Sequence, residues 1–155
     1  MKINKPTFWD KKKPNFLTYI LSPLTFLLKI NIIILKLIPK KKFDQIKSIC
    51  VGNIYLGGTG KTPTSLKLYQ LLKAKNYNVV IGKKYYSSQK DEIILLKNKS
   101  DTILSKSREE IIGLATKKNH ELIIFDDGLQ DRKIDYDIKF VCFDSKIWIG
   151  NGYLI

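Results

Sequence analysis

The stretch that decides the fold is Leu56-Gly57-Gly58-Thr59-Gly60-Lys61-Thr62. It follows an apolar run predicted as a strand, Ile46–Asn53, and precedes Pro63–Asn76, whose spacing of leucines predicts a helix. A glycine-rich turn between a strand and a helix is typical of a phosphate-binding P-loop, because glycines let backbone N–H groups surround phosphate oxygens. The strict pattern has glycine five residues before Gly60, where this chain has Tyr55, so the loop is an imperfect Walker A motif.

The P-loop interpretation gives a role to each polar side chain of the turn. Lys61 is expected to reach the β- and γ-phosphates of a nucleotide, and the Thr62 hydroxyl is expected to bind Mg²⁺. The alternative is a glycine-rich turn that holds a structural anion or nothing. The predicted ATP-binding residues are Tyr55, Leu56, Gly57, Gly58, Thr59, Gly60, Lys61 and Thr62.

A second acidic motif, Leu122-Ile123-Ile124-Phe125-Asp126-Asp127, lies further along the chain. An apolar strand that ends in aspartate is the Walker B arrangement, in which the carboxylate holds Mg²⁺ opposite the P-loop threonine. Alone, an aspartate after a strand is often only a turn or a helix cap. We therefore predict metal ligands at Thr62, Asp126 and Asp127, without deciding which aspartate contacts the metal.

The second part of the chain, residues 44–155, reads as alternating strands and helices. This alternation predicts an α/β fold, a P-loop NTPase-like and mostly parallel sheet flanked by helices. Asp91–Asn98 fits either a helix or a strand. A helix over Ser107–Asn119 begins with Ser107 as its cap. The other predicted strands are Val79–Gly82, Thr102–Leu104, Glu121–Phe125 and Ile138–Phe143.

The first part, residues 1–43, is basic and apolar, with an apolar stretch from Phe16 to Ile38 between two lysine clusters. A small-residue cleavage site is absent after it, which argues against a removed signal peptide. Pro23 is expected to kink or break a helix there. A membrane-associating helix in the interface is favoured, because the polar residues of the stretch, except Asn31, fall on one stripe. Spanning the bilayer and packing on the protein's own core remain open. The stripe consists of Thr18, Ser22, Thr25, Lys29 and Lys36.

The net charge is +14 over 155 residues, and almost all of it is lysine. Arg108 and Arg132 are the only arginines, so we expect an anionic membrane, nucleotide or phosphorylated substrate as partner rather than nucleic acid. His120 is the only histidine, which argues against a zinc site and a histidine-based triad. Both cysteines, Cys50 and Cys142, lie in apolar runs and are expected to be buried, reduced thiols.

Three charged segments could line a ligand site, but the sequence slightly favours simpler interpretations. Lys83-Lys84-Tyr85-Tyr86 reads as a solvated loop, and Asp91-Glu92 reads as a solvated helix start. Arg108 begins a helix, where a surface charge is at least as good an interpretation as a residue of the cleft.

Taken together, these motifs resemble the tetraacyldisaccharide 4'-kinase family, the lipid A 4'-kinases of Gram-negative bacteria. The segment Cys50–Pro63 is similar to the family's P-loop, and Asp126-Asp127-Gly128-Leu129-Gln130 is similar to its Asp-Asp-Gly-(Phe/Leu)-Gln segment. Gly150-Asn151-Gly152 resembles a later segment. The family runs to roughly twice this size, as two-domain chains do, so the resemblance implies an N-terminal fragment.

The resemblance implies transfer of the ATP γ-phosphate to the 4'-hydroxyl of a tetraacyl-disaccharide 1-phosphate. It implies ATP and Mg²⁺ as cofactors, a lipid A disaccharide precursor as substrate, and the cytoplasmic face of the bacterial inner membrane as location. Asp91 stands at the position of the family's Gly-Asp-Glu-Pro aspartate and is expected to be catalytic together with Lys61. Lys83-Lys84-Tyr85-Tyr86 replaces the family's usual Arg-Gly-Tyr-Gly, and Asp131 replaces a histidine.

Two other function classes stay open at this point. One is a P-loop ATPase or GTPase of another kind, although the chain has no signature lysine early in the loop. The other is a non-catalytic, membrane-associated nucleotide-binding domain. Nucleotide binding with and without Mg²⁺ distinguishes this last class from a kinase.

Overall fold

The computed structural model describes residues 16–53, 60–129, 131, 133–143 and 145. The predicted loop residues Tyr55, Leu56, Gly57, Gly58 and Thr59, and the Gly150–Gly152 segment, lie outside the described residues. The helices are α1 (Phe16–Leu37), α2 (Lys61–Ala74), α3 (Lys90–Lys99) and α4 (Arg108–Lys117). The strands are β1 (Lys47–Asn53), β2 (Val79–Lys84), β3 (Thr102–Ser105), β4 (Leu122–Asp126) and β5 (Ile138–Cys142).

The five strands form one parallel sheet in the order β3-β2-β4-β1-β5. The predicted parallel α/β architecture is thereby confirmed, and the ambiguous segment Asp91–Asn98 lies within helix α3. Strand β1 pairs with β4, so that Val51 lies opposite Asp126, and β2 pairs with β4, so that Lys83 lies opposite Asp126. The carboxyl ends of three neighbouring strands therefore meet at one edge of the sheet.

Helices cover both faces of the sheet, because consecutive residues of the strands are buried and their side chains point to opposite faces. On one face, Ile49 and Val51 pack with Leu66 of α2 and Leu96 of α3. On the other face, strand residues pack against α4 and the segment that precedes β5; these residues are Cys50, Val80, Ile123, Phe125, Ile111, Ala115, Ile134 and Tyr136. Cys50 is buried as predicted, and burial raises the pKa of its thiol to about 12. Cys142 is only half-buried, and both cysteines are free.

Two local features explain how close the elements approach. At Gly82 of β2, an added Cβ would lie 2.8 Å from Ile111 Cγ2, so only glycine lets α4 pack this tightly on the strand. The predicted cap of α4 is confirmed, because Ser107 Oγ accepts a hydrogen bond from the Glu110 N–H at 3.2 Å.

Helix α1 is continuous through Pro23 rather than broken there. Proline removes one N–H donor and crowds the carbonyl four residues before it, yet the 22-residue helix continues on both sides of it. Its described side chains are exposed or half-exposed, and none belongs to the buried clusters of the sheet. Among the described residues, no helix combines the length and the apolar character needed to cross a membrane.

The segment after α1 contacts the α/β unit. The Lys41 N–H donates to the Lys133 carbonyl at 2.7 Å, and the Asp135 N–H donates to the Lys41 carbonyl at 2.9 Å. Phe43 packs against the buried cluster on the α4 face. The division at residues 43 and 44 stays a prediction.

Candidate active site

The first turn of α2 lies at the edge where β1, β2 and β4 end. Gly60, just before the helix, has φ of +79°, in the left-handed region that glycine adopts without strain. Lys61 and Thr62 follow it at the helix N-terminus. Backbone N–H groups and the positive end of the helix dipole both favour an anion there.

Lys61 contacts the ends of two strands. Its Nζ donates to Asn53 Oδ1 of β1 at 3.0 Å and lies 3.2 Å from Asp127 Oδ1, directly after β4. Both partners are oxygen acceptors, as phosphate oxygens are. The lysine is therefore directed toward the edge of the sheet where a phosphate is expected.

The Asp126 carboxylate is the centre of a buried polar cluster. Its side chain is inaccessible, and Thr62 Oγ1 donates to its Oδ2 at 3.2 Å. Ser65 Oγ donates to its Oδ1 at 2.9 Å. Ser65 was not singled out from the sequence, although it lies three residues after Thr62 and so on the same face of the helix.

Lys83 is the main difference from the sequence-based interpretation. It is 2% exposed, and its Nζ lies 2.7 Å from both Asp126 Oδ2 and Glu92 Oε2. Burial by itself would lower the pKa of Lys83, but the two carboxylates outweigh it and raise that pKa above its usual value. The prediction of a solvated Lys83 is wrong, because β2 extends past Gly82 and aligns Lys83 with Asp126. Tyr85 and Tyr86 are exposed, as a solvated loop requires.

Arg108 is also buried, so its interpretation as a surface charge is wrong. Its two terminal nitrogens donate to Asp131 Oδ2 at 2.8 Å and to the Asp127 carbonyl at 2.5 Å. Burial would raise the pKa of Asp131, but the Lys133 N–H and Arg108 lower it below the ordinary value. Asp127 itself has φ of +62°, an uncommon backbone conformation for a residue other than glycine. Arg108 thus supports the turn that carries Asp127.

The structure brings some of the predicted site residues together and leaves others apart. Lys61, Thr62, Asp126 and Asp127 converge at one edge of the sheet. Asp91 is exposed in the first turn of α3, where the neighbouring Glu92 contacts Lys83. The catalytic role of Asp91 stays a prediction.

A comparison with known families now decides the affiliation of the chain. A family model described as tetraacyldisaccharide-1-P 4'-kinase matches residues 17–155. The chain belongs to this family. The sequence-based resemblance to the tetraacyldisaccharide 4'-kinases is thereby confirmed, and the open alternatives of another P-loop class or a non-catalytic domain are not favoured.

Individual family members show what share of their length this chain matches. It is 44% identical over 154 residues to the tetraacyldisaccharide 4'-kinase of Pelagibacter ubique, covering 98% of this chain and 48% of the relative. With the Rickettsia felis kinase it is 32% identical over 171 residues, covering 100% of this chain and 52% of the relative. The chain therefore spans about half the length of the curated relatives it matches.

A solved structure of the family has the same fold. The crystal structure of LpxK from Aquifex aeolicus in complex with ATP matches with a TM-score of 0.66 and 25% sequence identity. The match covers 84% of this chain and 50% of that one. The parallel sheet with its flanking helices is thus the family's fold.

Proposed function

We propose that this chain is part of an ATP-dependent kinase that phosphorylates the 4'-hydroxyl of a tetraacyl-disaccharide 1-phosphate in lipid A biosynthesis. The observation that carries the proposal is the convergence of Lys61 and Thr62, at the start of α2, with Asp126 and Asp127, at the end of β4. Such a pair of motifs binds the phosphates and the metal in P-loop kinases. The names of the relatives supply the reaction.

ATP is the proposed phosphate donor. The helix N-terminus and Lys61 both offer positive charge to an anion. The related Aquifex aeolicus protein is an ATP complex. Phosphoryl transfer depends mainly on electrostatic stabilisation and positioning, so Lys61 is proposed to be catalytic as well as binding.

The residues present fit Mg²⁺. Thr62 donates its hydroxyl proton to Asp126, which leaves the lone pairs of Thr62 Oγ1 available to a cation. Hydroxyl and carboxylate oxygens are the ligands that Mg²⁺ prefers. Thr62 would hold the ion directly, the buried Asp126 would act on it through the Thr62 hydroxyl that it fixes, and Asp127 would lie beside them. When bound, Mg²⁺ neutralises charge on the nucleotide phosphates.

Asp91 is the proposed residue for the acceptor. A carboxylate can orient the attacking hydroxyl and accept its proton as the new bond forms. Asp91 is exposed at the start of α3, next to the residue that Lys83 contacts. It is accessible to a substrate that arrives from outside the sheet edge.

The membrane surface is a further part of the proposal. Helix α1 exposes many large apolar side chains, including Phe26, Leu27 and Ile33, and the chain carries a net charge of +14. Exposed apolar surface combined with lysines suits the anionic cytoplasmic face of the inner membrane. A lipid acceptor would be found at the same surface.

A transfer assay on the full-length protein tests the reaction. The donor is ATP labelled at the γ-phosphate, and the acceptor is a tetraacyl-disaccharide 1-phosphate in detergent. The matched control acceptor already carries a 4'-phosphate. We expect label at the 4'-position of the first lipid alone. Hydrolysis of ATP without transfer would indicate an ATPase, and Mg²⁺-dependent binding without turnover would indicate a non-catalytic nucleotide-binding protein.

A further inference from the structure

Lys83 connects two parts of the candidate active site that lie on different elements. Its Nζ contacts Asp126, which ends β4 and accepts hydrogen bonds from Thr62 and Ser65 of α2. The same Nζ contacts Glu92, in the first turn of α3. One ammonium group therefore joins the proposed nucleotide side of the site to the helix that carries Asp91.

The two contacts differ in environment. The Asp126 side chain is fully buried, whereas the Glu92 side chain is 48% exposed. Lysine is seldom as deeply buried as Lys83 unless it is paired. A buried ion pair is weak evidence for a gain in stability, because removing both charges from water is costly. The position therefore calls for a role other than holding the core together.

The charge distribution indicates what that role is. Two hydroxyl groups and the Lys83 ammonium surround the Asp126 carboxylate, and the ammonium supplies the compensating positive charge. Thr62 is a proposed ligand of Mg²⁺, so anything that fixes the Asp126 carboxylate also fixes the Thr62 hydroxyl. The half-exposed Glu92 then provides a link from this fixed group to the N-terminal turn of α3.

We propose that Lys83 is a positioning residue for phosphoryl transfer. It holds Asp126, and through it Thr62, and it fixes the first turn of α3, with Asp91, relative to them. The inference rests on the proposed function, because that function places the nucleotide beside Asp126 and the acceptor beside Asp91.

Three variants of the full-length protein separate the two contacts. Lys83→Met keeps most of the length of the side chain and removes its charge, Lys83→Arg keeps the charge, and Glu92→Gln weakens only the link to α3, because a neutral amide oxygen replaces the carboxylate. The matched control is Lys73→Met, because Lys73 forms an exposed ion pair with Asp101, 3.2 Å long, at the opposite edge of the sheet. Affinity for ATP with Mg²⁺ is measured by calorimetry, alongside kcat, the acceptor KM and the melting temperature.

We expect Glu92→Gln to leave ATP affinity within about twofold and to lower kcat about tenfold, because misplacing the acceptor side affects the chemical step. Lys83→Met should weaken ATP affinity about tenfold and lower kcat at least as much, since both contacts are lost. Lys83→Arg should restore most of both values. Lys73→Met should match the wild type in all of them.

The results that would overturn the inference are distinct from a failure of the proposed function. A folded Lys83→Met variant with wild-type ATP affinity and kcat would overturn the inference. A Lys83→Met variant that only melts at a lower temperature, with unchanged ATP affinity, kcat per folded molecule and acceptor KM, would overturn it as well. If Lys83→Met does not fold, wild-type kcat in Glu92→Gln would overturn the inference. A folded Lys83→Arg variant whose ATP affinity and kcat fall well below the wild-type values would also overturn it. If the wild type transfers no phosphate, the proposed function fails, and so does the role of the Lys83–Glu92 contact in placing the acceptor. The ATP affinity of Lys83→Met then still decides whether the Lys83–Asp126 contact supports nucleotide binding.

Discussion

Lys61 is held by two acceptors that a phosphate group would replace, Asn53 Oδ1 and Asp127 Oδ1. Removing its charge takes away electrostatic stabilisation of the transferring phosphoryl group. We expect Lys61→Ala to lower kcat about a hundredfold or more. The matched control is Lys67→Ala, an exposed residue on the same helix, which should leave turnover unchanged. Turnover is measured in the full-length protein, and wild-type turnover in Lys61→Ala would contradict the assignment.

The two neighbouring aspartates differ in their surroundings, and this difference predicts different roles. Asp126 is buried against Thr62, whereas Asp127 is 23% exposed and pairs with Lys61. We expect Asp126→Asn to raise the Mg²⁺ concentration needed for half-maximal activity about tenfold, because a neutral amide fixes the Thr62 hydroxyl less well and removes a negative charge beside the cation. Asp127→Asn should lower kcat with little change in that concentration. Mg²⁺ titrations of both variants check this, and the Walker B interpretation is wrong if neither changes the requirement.

At the scale of single residues, local patterns predicted the motif positions but not their neighbours. Thr62 and Asp126 follow from two short motifs, and their side chains do lie in contact. Lys83 could not be placed in the same way, because its burial depends on the register between β2 and β4, two strands far apart in sequence. Arg108 depends likewise on a turn that comes after β4. Contacts of this kind carry no local sequence signal.

At the scale of an element, two glycines offer a matched pair for stability. At Gly82 an added Cβ would lie 2.8 Å from Ile111 Cγ2 and 3.0 Å from Ile123 Cδ1, both buried. Gly82→Ala should therefore lower the free energy of unfolding by about 1–3 kcal/mol through overpacking. Gly113 lies on the exposed side of α4 with no heavy atom within 4 Å of such a Cβ. Gly113→Ala should raise that free energy by about 0.5–1 kcal/mol, because alanine is the better helix former.

Urea unfolding of the two variants and the wild type measures both differences. A stabilised Gly82→Ala variant would mean that α4 can move away from β2 without loss of packing. A destabilised Gly113→Ala variant would mean that the exposed face of α4 has a partner.

Hydrophobic period and turn residues predict most of the helices and strands. The structure differs from these predictions at the ends of elements, and it settles one ambiguous segment. Strand β2 was predicted to end at Gly82, yet it continues to Lys84 because β3 and β4 pair with its last residues on both sides. The segment around Ile93 and Leu96 was ambiguous, because a short amphipathic run fits a helix or a strand. Packing of Leu96 against the sheet, which is a tertiary contact, decides for the helix.

At the scale of the whole molecule, α1 and the lysine excess predict how the protein meets a membrane. A variant that lacks residues 1–39 keeps Lys41, whose backbone bonds to Lys133 and Asp135. We expect it to lose binding to vesicles that contain anionic lipid, because it lacks the exposed apolar residues of α1 and the lysine cluster before them. Co-sedimentation with anionic and zwitterionic vesicles measures this, and salt should weaken the wild-type binding. Undiminished binding by the shortened variant would place the membrane contact on the α/β unit.

The strand order also bears on how the protein folds while it is being synthesised. Strand β1 is the first to leave the ribosome, yet both of its neighbours come late, since Lys47 pairs with Leu122 and Ile49 pairs with Ile138. Contacts between distant parts of a chain form slowly, because the intervening loop must first be closed. The apolar strand β1 therefore stays unpaired until β4 and β5 have been synthesised, and an unpaired apolar strand is prone to aggregate. Pairing at the centre of the sheet, where β4 lies between β2 and β1, therefore begins only after most of the described residues have been synthesised.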